Sequence, residues 1–378
     1  MTDGGRSREY TYLDSLTVMP VHENALQAAE EALREEWGDP RSTNLPGRKT
    51  ADFIRGHSER VAGIFGGSHA LFYCDAHMAN ALSVLSAGRY MRDKGRSGII
   101  VSPIERYSVM SAVKRLARTG SEVFLLRMDG NGRVDPDSLR SLVGHDTGLL
   151  VAGLASGVSG IVQPVDEMVE IIRAGGDIYY HCDAVSAAGR YPLDLSRLGV
   201  DSIAVSSSAL GGPPGSAAAV FASGRPVFTP EAYEFTAHVN LAGIAGMTAA
   251  LEVMLNSMES GIRIMNELRN DLLESLDRSK IKFLLLGGDP GNILPGAGLL
   301  KLITKIEGLH ARLENRGVIL PSHNSPERLS YLRMIGADWA KMDDYLGFSF
   351  SAGNTKIDVK HFERSLLEIY STVGGQQI

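Results

Sequence analysis

The chain has 378 residues, of which 44% are apolar and 22% are charged, a balance typical of soluble globular proteins. At about 150 residues per domain, this length predicts two or three domains. The net charge of -6 gives no electrostatic reason to expect a nucleic-acid partner. Two cysteines are too few for the disulfide framework of a secreted protein, so a reducing, cytoplasmic location is expected. No signal peptide and no run of about 18 apolar residues is found, so no membrane association is expected.

Two amphipathic helices are predicted in the first 70 residues. The first covers residues 23–37, where apolar residues recur at helical spacing, and it ends at Gly38-Asp39-Pro40. The second covers residues 51–65 and ends at Gly66-Gly67.

Short apolar runs then alternate with amphipathic stretches. The runs are typical of buried strands in a mostly parallel sheet and lie at residues 98–102, 122–126, 148–153, 177–181 and 202–206. Helical spacing, which the crossovers between parallel strands require, is found at residues 109–119, 136–143 and 165–174. This alternation predicts an α/β layered domain.

The pattern changes after residue 246. Long helices are predicted at residues 247–258 and 262–276, with a strand at 282–287. A domain boundary is therefore expected near residue 246.

The most informative segment begins at His181-Cys182-Asp183-Ala184 and ends with SSSALGGPPGS at 206–216. Further landmarks are YLDSLTVMPV at 12–21, WGDPRS at 37–42, SPIERYSV at 102–109, GVSGIVQPVDEM at 157–168 and ERLSYLRMIG at 327–336. In order and spacing these segments resemble the cysteine desulfurase branch of the class V aminotransferase family, also described as NifS-like or IscS-like. The resemblance covers nearly the whole chain.

The resemblance implies the type I fold of pyridoxal-phosphate enzymes. A large α/β domain with a mostly parallel seven-stranded sheet is expected at residues 16–246, and a small α+β domain at 247–378. Residues 1–15 are expected to pack with the small domain. The family forms homodimers with its cofactor cavities at the interface, so a homodimer is expected.

Asp183 aligns with the aspartate that keeps the pyridine nitrogen of the cofactor protonated. Ser206 aligns with a phosphate-binding serine, although a hydroxyl at a strand end can equally satisfy backbone groups. Ala209 aligns with the lysine that forms the internal aldimine, and alanine has no amine for a Schiff base. The resemblance therefore implies that no cofactor is bound covalently at this position.

Other cofactor-binding positions have also changed. The phosphate-binding turn aligns with residues 75–78, which include Asp75 and His77. The positions of the stacking histidine, the ring-oxygen glutamine and the partner-subunit threonine are Arg106, Ser186 and His238. The asparagine near the ring hydroxyl aligns with Gly157. These residues would contact pyridoxal phosphate or another anion only if one binds.

Near the C-terminus, the sulfur-accepting cysteine of the family lies on a loop that aligns with residues 321–326. This loop comes just before a Glu-Pro-Ser-x-x-Leu-Arg-x-Leu-Gly stretch, which aligns with ERLSYLRMIG at 327–336. This loop contains no cysteine, and neither Ser322 nor His323 can replace a thiolate nucleophile. The arginine that binds the substrate carboxylate aligns with Gly347. The chain thus lacks several residues with separate chemical tasks.

Three alternatives remain. Cys74, Cys182 and His181, with His77, Arg106 and His238, would surround the cavity and could hold a metal or small anion, but they lack metal-ligand spacing, so no metal is expected. Lys49, Lys301 or Lys305 could replace the lost lysine, with no geometric reason for any of them. Pyridoxal phosphate could also bind weakly without a covalent bond.

The resulting hypothesis is a cysteine desulfurase-like protein that has lost its catalysis. It would act as a binding, regulatory or sulfur/iron–sulfur-assembly partner, with an intact paralogue or a scaffold protein as its companion. The alternative is an active family enzyme, a transferase or lyase, with a rearranged site.

Overall fold

The computed structural model describes residues 10–226, 240–279, 281–337 and 343–374. The helices are α1 (Glu23–Glu35), α2 (Leu45–Ile64), α3 (Ala76–Asp93), α4 (Tyr107–Arg118), α5 (Pro136–Leu142), α6 (Val165–Ala174), α7 (Leu195–Leu198), α8 (Leu241–Arg278), α9 (Leu309–Glu314), α10 (Pro326–Met334) and α11 (Lys356–Gly374). The strands are β1 (Thr11–Tyr12), β2 (His69–Tyr73), β3 (Gly98–Val101), β4 (Val123–Leu125), β5 (Thr147–Val151), β6 (Tyr179–Asp183), β7 (Ser202–Ser206), β8 (Ala217–Phe221), β9 (Phe283–Leu285), β10 (Ala297–Leu302), β11 (Val318–Ile319) and β12 (Tyr345–Ser349).

The main sheet has seven strands in the order β2-β8-β7-β6-β5-β3-β4. Strands β7, β6, β5, β3 and β4 pair in parallel, whereas β8 runs antiparallel to both of its neighbours. All residues of the central strands β5, β6 and β7 are buried, as expected for a sheet covered on both faces. This architecture confirms the predicted α/β fold with a mostly parallel sheet.

Each predicted helical range is covered by a helix, but α2 and α8 have clearly different limits. Helix α2 begins earlier than predicted, at Leu45, because Asn44 caps it by accepting a hydrogen bond from Gly47 N at 2.9 Å. The two helices predicted at 247–258 and 262–276 are a single helix, α8. The hydroxyl groups of Ser257 and Ser260 donate to the carbonyls of Val253 and Ser257, so these polar residues stay within the helix.

Helix α8 is also the one helix in the described residues that is long and apolar enough to cross a bilayer by length and composition. Its N-terminal half buries Gly243, Ile244, Met247 and Leu251, and the helix packs against α1 and α2. Packing within the fold therefore accounts for the buried apolar residues of this half.

A second core lies in the C-terminal part of the chain. Strands β12, β10 and β9 form an antiparallel sheet, and α8, α9 and α11 pack around it. The N-terminal residues join this part, because β1 pairs in parallel with β11 and Leu13 is fully buried in the second core. The predicted boundary near residue 246 falls inside α8, and the three domain ranges remain predictions.

Arg190 connects the two parts. Its buried guanidinium donates to Ser15 Oγ at 2.7 Å and to the carbonyl oxygens of Pro295 and Phe350 at 2.6 and 2.9 Å. These bonds hold the N-terminal segment and the small sheet against the main sheet.

Candidate functional site

A cavity of about 190 Å³ lies where the two parts meet. Three of its residues lie at or beyond the carboxyl ends of adjacent parallel strands: Glu105 follows β3, Gly153 follows β5 and Asp183 is the last residue of β6. Open α/β sheets bind ligands beyond the carboxyl ends of such strands. The opposite wall comes from the N-terminal segment and from the loop and helix at 321–328.

Asp183 is the centre of the polar network in the cavity, with 8% of its side chain exposed. Its Oδ2 accepts from Arg106 Nε at 2.8 Å and from Asn80 Nδ2 at 3.2 Å. Its Oδ1 accepts from Val185 N at 2.9 Å. Both carboxylate oxygens are therefore already bound by groups of the chain itself.

The position of Arg106 depends on two neighbours that also differ from the family pattern. Its Nη2 donates to Ser186 Oγ at 3.2 Å. A Cβ atom at Gly157 would lie 2.9 Å from Ser186 Oγ and 3.4 Å from Arg106 Nη2. The absence of a side chain at residue 157 thus leaves the space that the Arg106 guanidinium needs.

Glu105 is a second carboxyl group beside Asp183. Its Oε1 accepts from Gly153 N at 2.8 Å. Burial, together with the negative charge of Asp183, raises the pKa of Glu105 to about 8. At neutral pH the carboxyl group of Glu105 is therefore mostly protonated.

The residues of strand β6 alternate between the two faces of the sheet. Asp183 faces the cavity, whereas His181, one step further from the strand end on the same face, is buried behind Asn80. His181 Nε2 hydrogen-bonds Asn80 Oδ1 at 3.0 Å, and its Nδ1 hydrogen-bonds Ser202 Oγ at 2.8 Å. Burial lowers the pKa of His181 to about 4. Cys182 points to the other face and is buried in the main core.

Ser206, aligned with the phosphate serine, is the last residue of β7, and Ala209, aligned with the cofactor lysine, lies in the short turn that follows. Ala209 is 7% exposed within the turn Ser208–Leu210. Ser206 Oγ and Ser208 Oγ are hydrogen-bonded to each other at 3.0 Å. The hydroxyl of Ser206 therefore already has a hydrogen-bond partner two residues away in the chain.

The turn aligned with the phosphate-binding segment forms the N-terminus of α3. A helix N-terminus attracts anions, but here the carboxylate of Asp75 accepts from Met78 N at 2.7 Å and caps the helix itself. His77 is exposed on the first turn, and its Nδ1 hydrogen-bonds Ser108 Oγ at 3.3 Å. Neither residue lines the cavity in the described part of the chain.

The C-terminal loop does reach the cavity, through Pro321, Ser322 and Ser325. Next to them lies Arg328, on the first turn of α10 and only 2% exposed. A Cβ atom at Gly347 would lie 3.5 Å from Arg328 Nη1. Arg328 thus lies beside Gly347, the residue that the resemblance aligns with a carboxylate-binding arginine.

Several predicted residues are not at the cavity. His238 lies outside the described residues. Within them, no lysine lines the cavity: Lys49 pairs with Glu36 at 3.2 Å, and Lys301 lies over the ring of Tyr345. The described residues contain no group of three side chains suited to a metal ion.

Sequence reasoning did not identify Glu105, Asn80 or Arg328 as site residues. A signal for Arg328 was present, since the family pattern Glu-Pro-Ser-x-x-Leu-Arg places a proline at this position. Asn80 carried no comparable signal, because only the fold brings α3 against β6.

The chain is similar to known proteins over most of its length. A model of the class V aminotransferase family matches residues 11–224. Cysteine desulfurase IscS of Methanosarcina thermophila is 30% identical over 74% of this chain and 70% of that protein. Cysteine desulfurase IscS of Dictyoglomus turgidum is 29% identical over 75% of this chain and 73% of that protein.

Solved structures share the fold. A NifS-like protein superposes with a TM-score of 0.85 at 24% identity, covering 96% of this chain and 100% of the other. The apo structure of a cysteine desulfurase from Thermococcus onnurineus NA1 has a TM-score of 0.80 at 17% identity, covering 96% of this chain and 95% of the other. With the family match and the IscS relatives, the chain belongs to the class V aminotransferase family, among its cysteine desulfurase-like members.

Proposed function

We propose that this chain is a cysteine desulfurase-like protein without pyridoxal-phosphate-dependent catalysis, which uses the family scaffold for binding. The observation that carries the proposal is the 2.8 Å contact between Arg106 Nε and Asp183 Oδ2. In the family this aspartate binds the pyridine nitrogen, whereas here a guanidinium of the same chain holds it. A charged, partly buried pair of this kind is costly to separate.

Three features of the site do not fit pyridoxal phosphate. Asp183 is already paired with Arg106, and the N-terminus of α3 is capped by the carboxylate of Asp75. A carboxylate at that place would repel a phosphate group. Ala209 offers no amine, and no described lysine lines the cavity to replace it. We therefore derive no reaction step through the cofactor.

A binding role follows from what the chain retains. The sheet, the second core and the cavity between them are intact, while the residues that carry the chemistry are changed. We propose a cytoplasmic homodimer, or a heterodimer with an intact paralogue, that takes part in sulfur transfer or iron–sulfur assembly.

The test is turnover of L-cysteine with added pyridoxal phosphate, measured as sulfide and alanine against an active cysteine desulfurase. We expect no product above background from the wild type. The Ala209→Lys variant should also be inactive, because Arg106 still holds Asp183 and the loop at 321–326 still lacks a thiol. Sulfide production by the wild type would instead support the alternative, an active family enzyme with a rearranged site.

A further inference from the structure

Arg328 is a buried cation without a counter-ion in the described part of the chain. It is 2% exposed and lines the cavity. Its Nη2 donates to the carbonyl oxygen of Tyr345, but its Nε has no hydrogen-bond partner. No carboxylate of the described residues lies within ion-pair distance of it.

The charge nevertheless persists at neutral pH. Burial lowers the pKa of Arg328 to about 10, and Asp343 opposes this shift from beyond ion-pair distance. The pKa of the neighbouring His310 is lowered to about 3, first by burial and second by the positive charge of Arg328. A buried charge is stable in a protein when it is paired, so the missing partner of Arg328 points to a ligand.

The N-terminus of α10 adds to this positive field. The helix has nine residues, and Ser325, Glu327 and Arg328 from its first turn line the cavity. Ser325 caps the helix by accepting from Arg328 N at 3.2 Å. Pro326 has no amide hydrogen, so the backbone N–H of Glu327 is the donor left at this end of the helix.

We propose that Arg328 and the N-terminus of α10 form a binding site for a small carboxylate anion. The inference rests on the proposed function, because it requires a cavity free of pyridoxal phosphate. It uses a residue that the family pattern does not supply, since the pattern has proline at 328 and this chain has glycine at 347.

The cavity favours a monocarboxylate over a phosphate. A guanidinium binds the two oxygens of a carboxylate with parallel hydrogen bonds. Asp14, Asp183 and Glu327 line the same cavity, and their charges disfavour a dianion. The volume of about 190 Å³ also suits only a few non-hydrogen atoms, as an apolar cavity of about 150 Å³ accommodates benzene.

The experiment is calorimetric titration of the protein with sodium propionate, with sodium chloride at equal ionic strength as the reference. A visible spectrum recorded first establishes that the sample contains no aldimine, so a failure of the proposed function is seen separately. We expect saturable binding of propionate and weaker binding of inorganic phosphate. No saturable binding of propionate, or tighter binding of phosphate, would overturn the proposal.

Two pairs of variants locate the site. Arg328→Met should weaken propionate binding by at least about tenfold, whereas Arg89→Met, at an exposed arginine, should not change it. If Arg328→Met does not fold, Gly347→Val keeps the guanidinium and fills the space beside it. Gly347→Ala is its control, since a methyl group there meets Arg328 at an ordinary 3.5 Å. Equal affinity in Gly347→Val and Gly347→Ala would contradict the assignment.

Discussion

Asp183 and Arg106 form an ion pair at the wall of the cavity. Both residues could be singled out from the sequence, but their contact could not, because they are 77 positions apart in the chain. The ion pair forms because Gly157 and Ser186 leave room for the guanidinium and give it an acceptor. Arg106, Gly157 and Ser186 are thus parts of one arrangement.

Removal of Arg106 should therefore destabilise the fold. Arg106→Met leaves the carboxylate of Asp183 buried without its cation, and we expect a loss of about 2–4 kcal/mol in the free energy of unfolding, measured in urea. The matched control is Arg197→Met, which breaks an exposed pair with Asp194 and should cost less than about 1 kcal/mol. Asp183→Asn should relieve most of the Arg106→Met loss, and equal losses in the two arginine variants would contradict this account.

Glu105 should make stability depend on pH. Its pKa is raised in the folded state from 4.5 to about 8, so the folded protein holds a proton that the unfolded chain has released. Its contribution is present below pH 4.5 and is lost as the pH rises towards 8. Relative to Glu105→Gln, the wild type should lose more than about 1.4 kcal/mol across this range, the equivalent of one pKa unit.

Urea unfolding at a series of pH values measures this difference. Glu59→Gln, at an exposed glutamate, provides the control and should follow the wild type at every pH. A constant difference between wild type and Glu105→Gln would show that the Glu105 carboxyl titrates normally.

Helix α8 joins the two cores, and two of its three glycines have different surroundings. A Cβ atom at Gly246 would lie 2.5 Å from the Pro213 ring and 2.9 Å from Ala25 O. At Gly261 the nearest atom, Ala352 Cβ, is 3.5 Å away. The same substitution should therefore have opposite effects at the two positions.

We expect Gly261→Ala to raise the free energy of unfolding by about 0.5–1 kcal/mol, through better helix propensity. Gly246→Ala should lower it by about 1–3 kcal/mol, because the packed proline and backbone cannot yield to the methyl group. Urea unfolding followed by circular dichroism compares them directly. A gain in stability in both variants would mean that α1 and α8 pack less closely than described.

At the level of elements, the sequence was sufficient for most of the sheet. Apolar runs such as 98–102 and 202–206 are buried strands because both faces of the sheet are covered. It was insufficient for α8, since the polar residues near Ser257 and Gly261 suggest a break that tertiary packing overrides. In the site, Arg328 was missed because its significance depends on a cavity wall that only the folded chain brings together.

The whole molecule keeps two hydrophobic cores, and the cavity lies between them. The main core consists of three apolar clusters, one on one face of the sheet and two on the other, and the second core includes Leu13 from the N-terminal segment. Groups from both parts line the cavity, so a ligand there would contact both. Asp183, Asp75 and Ser206, which align with cofactor-binding positions, have hydrogen-bond partners within the chain.

Borohydride reduction of the protein incubated with pyridoxal phosphate, followed by peptide mass spectrometry, tests the central claim most directly. Residue 209 is alanine, and no described lysine lines the cavity. We therefore predict that no single lysine carries a stoichiometric pyridoxyl adduct, and that the protein shows no visible aldimine band before reduction. A stoichiometric adduct on one lysine would contradict the account, since it would show that another residue has taken over the Schiff base.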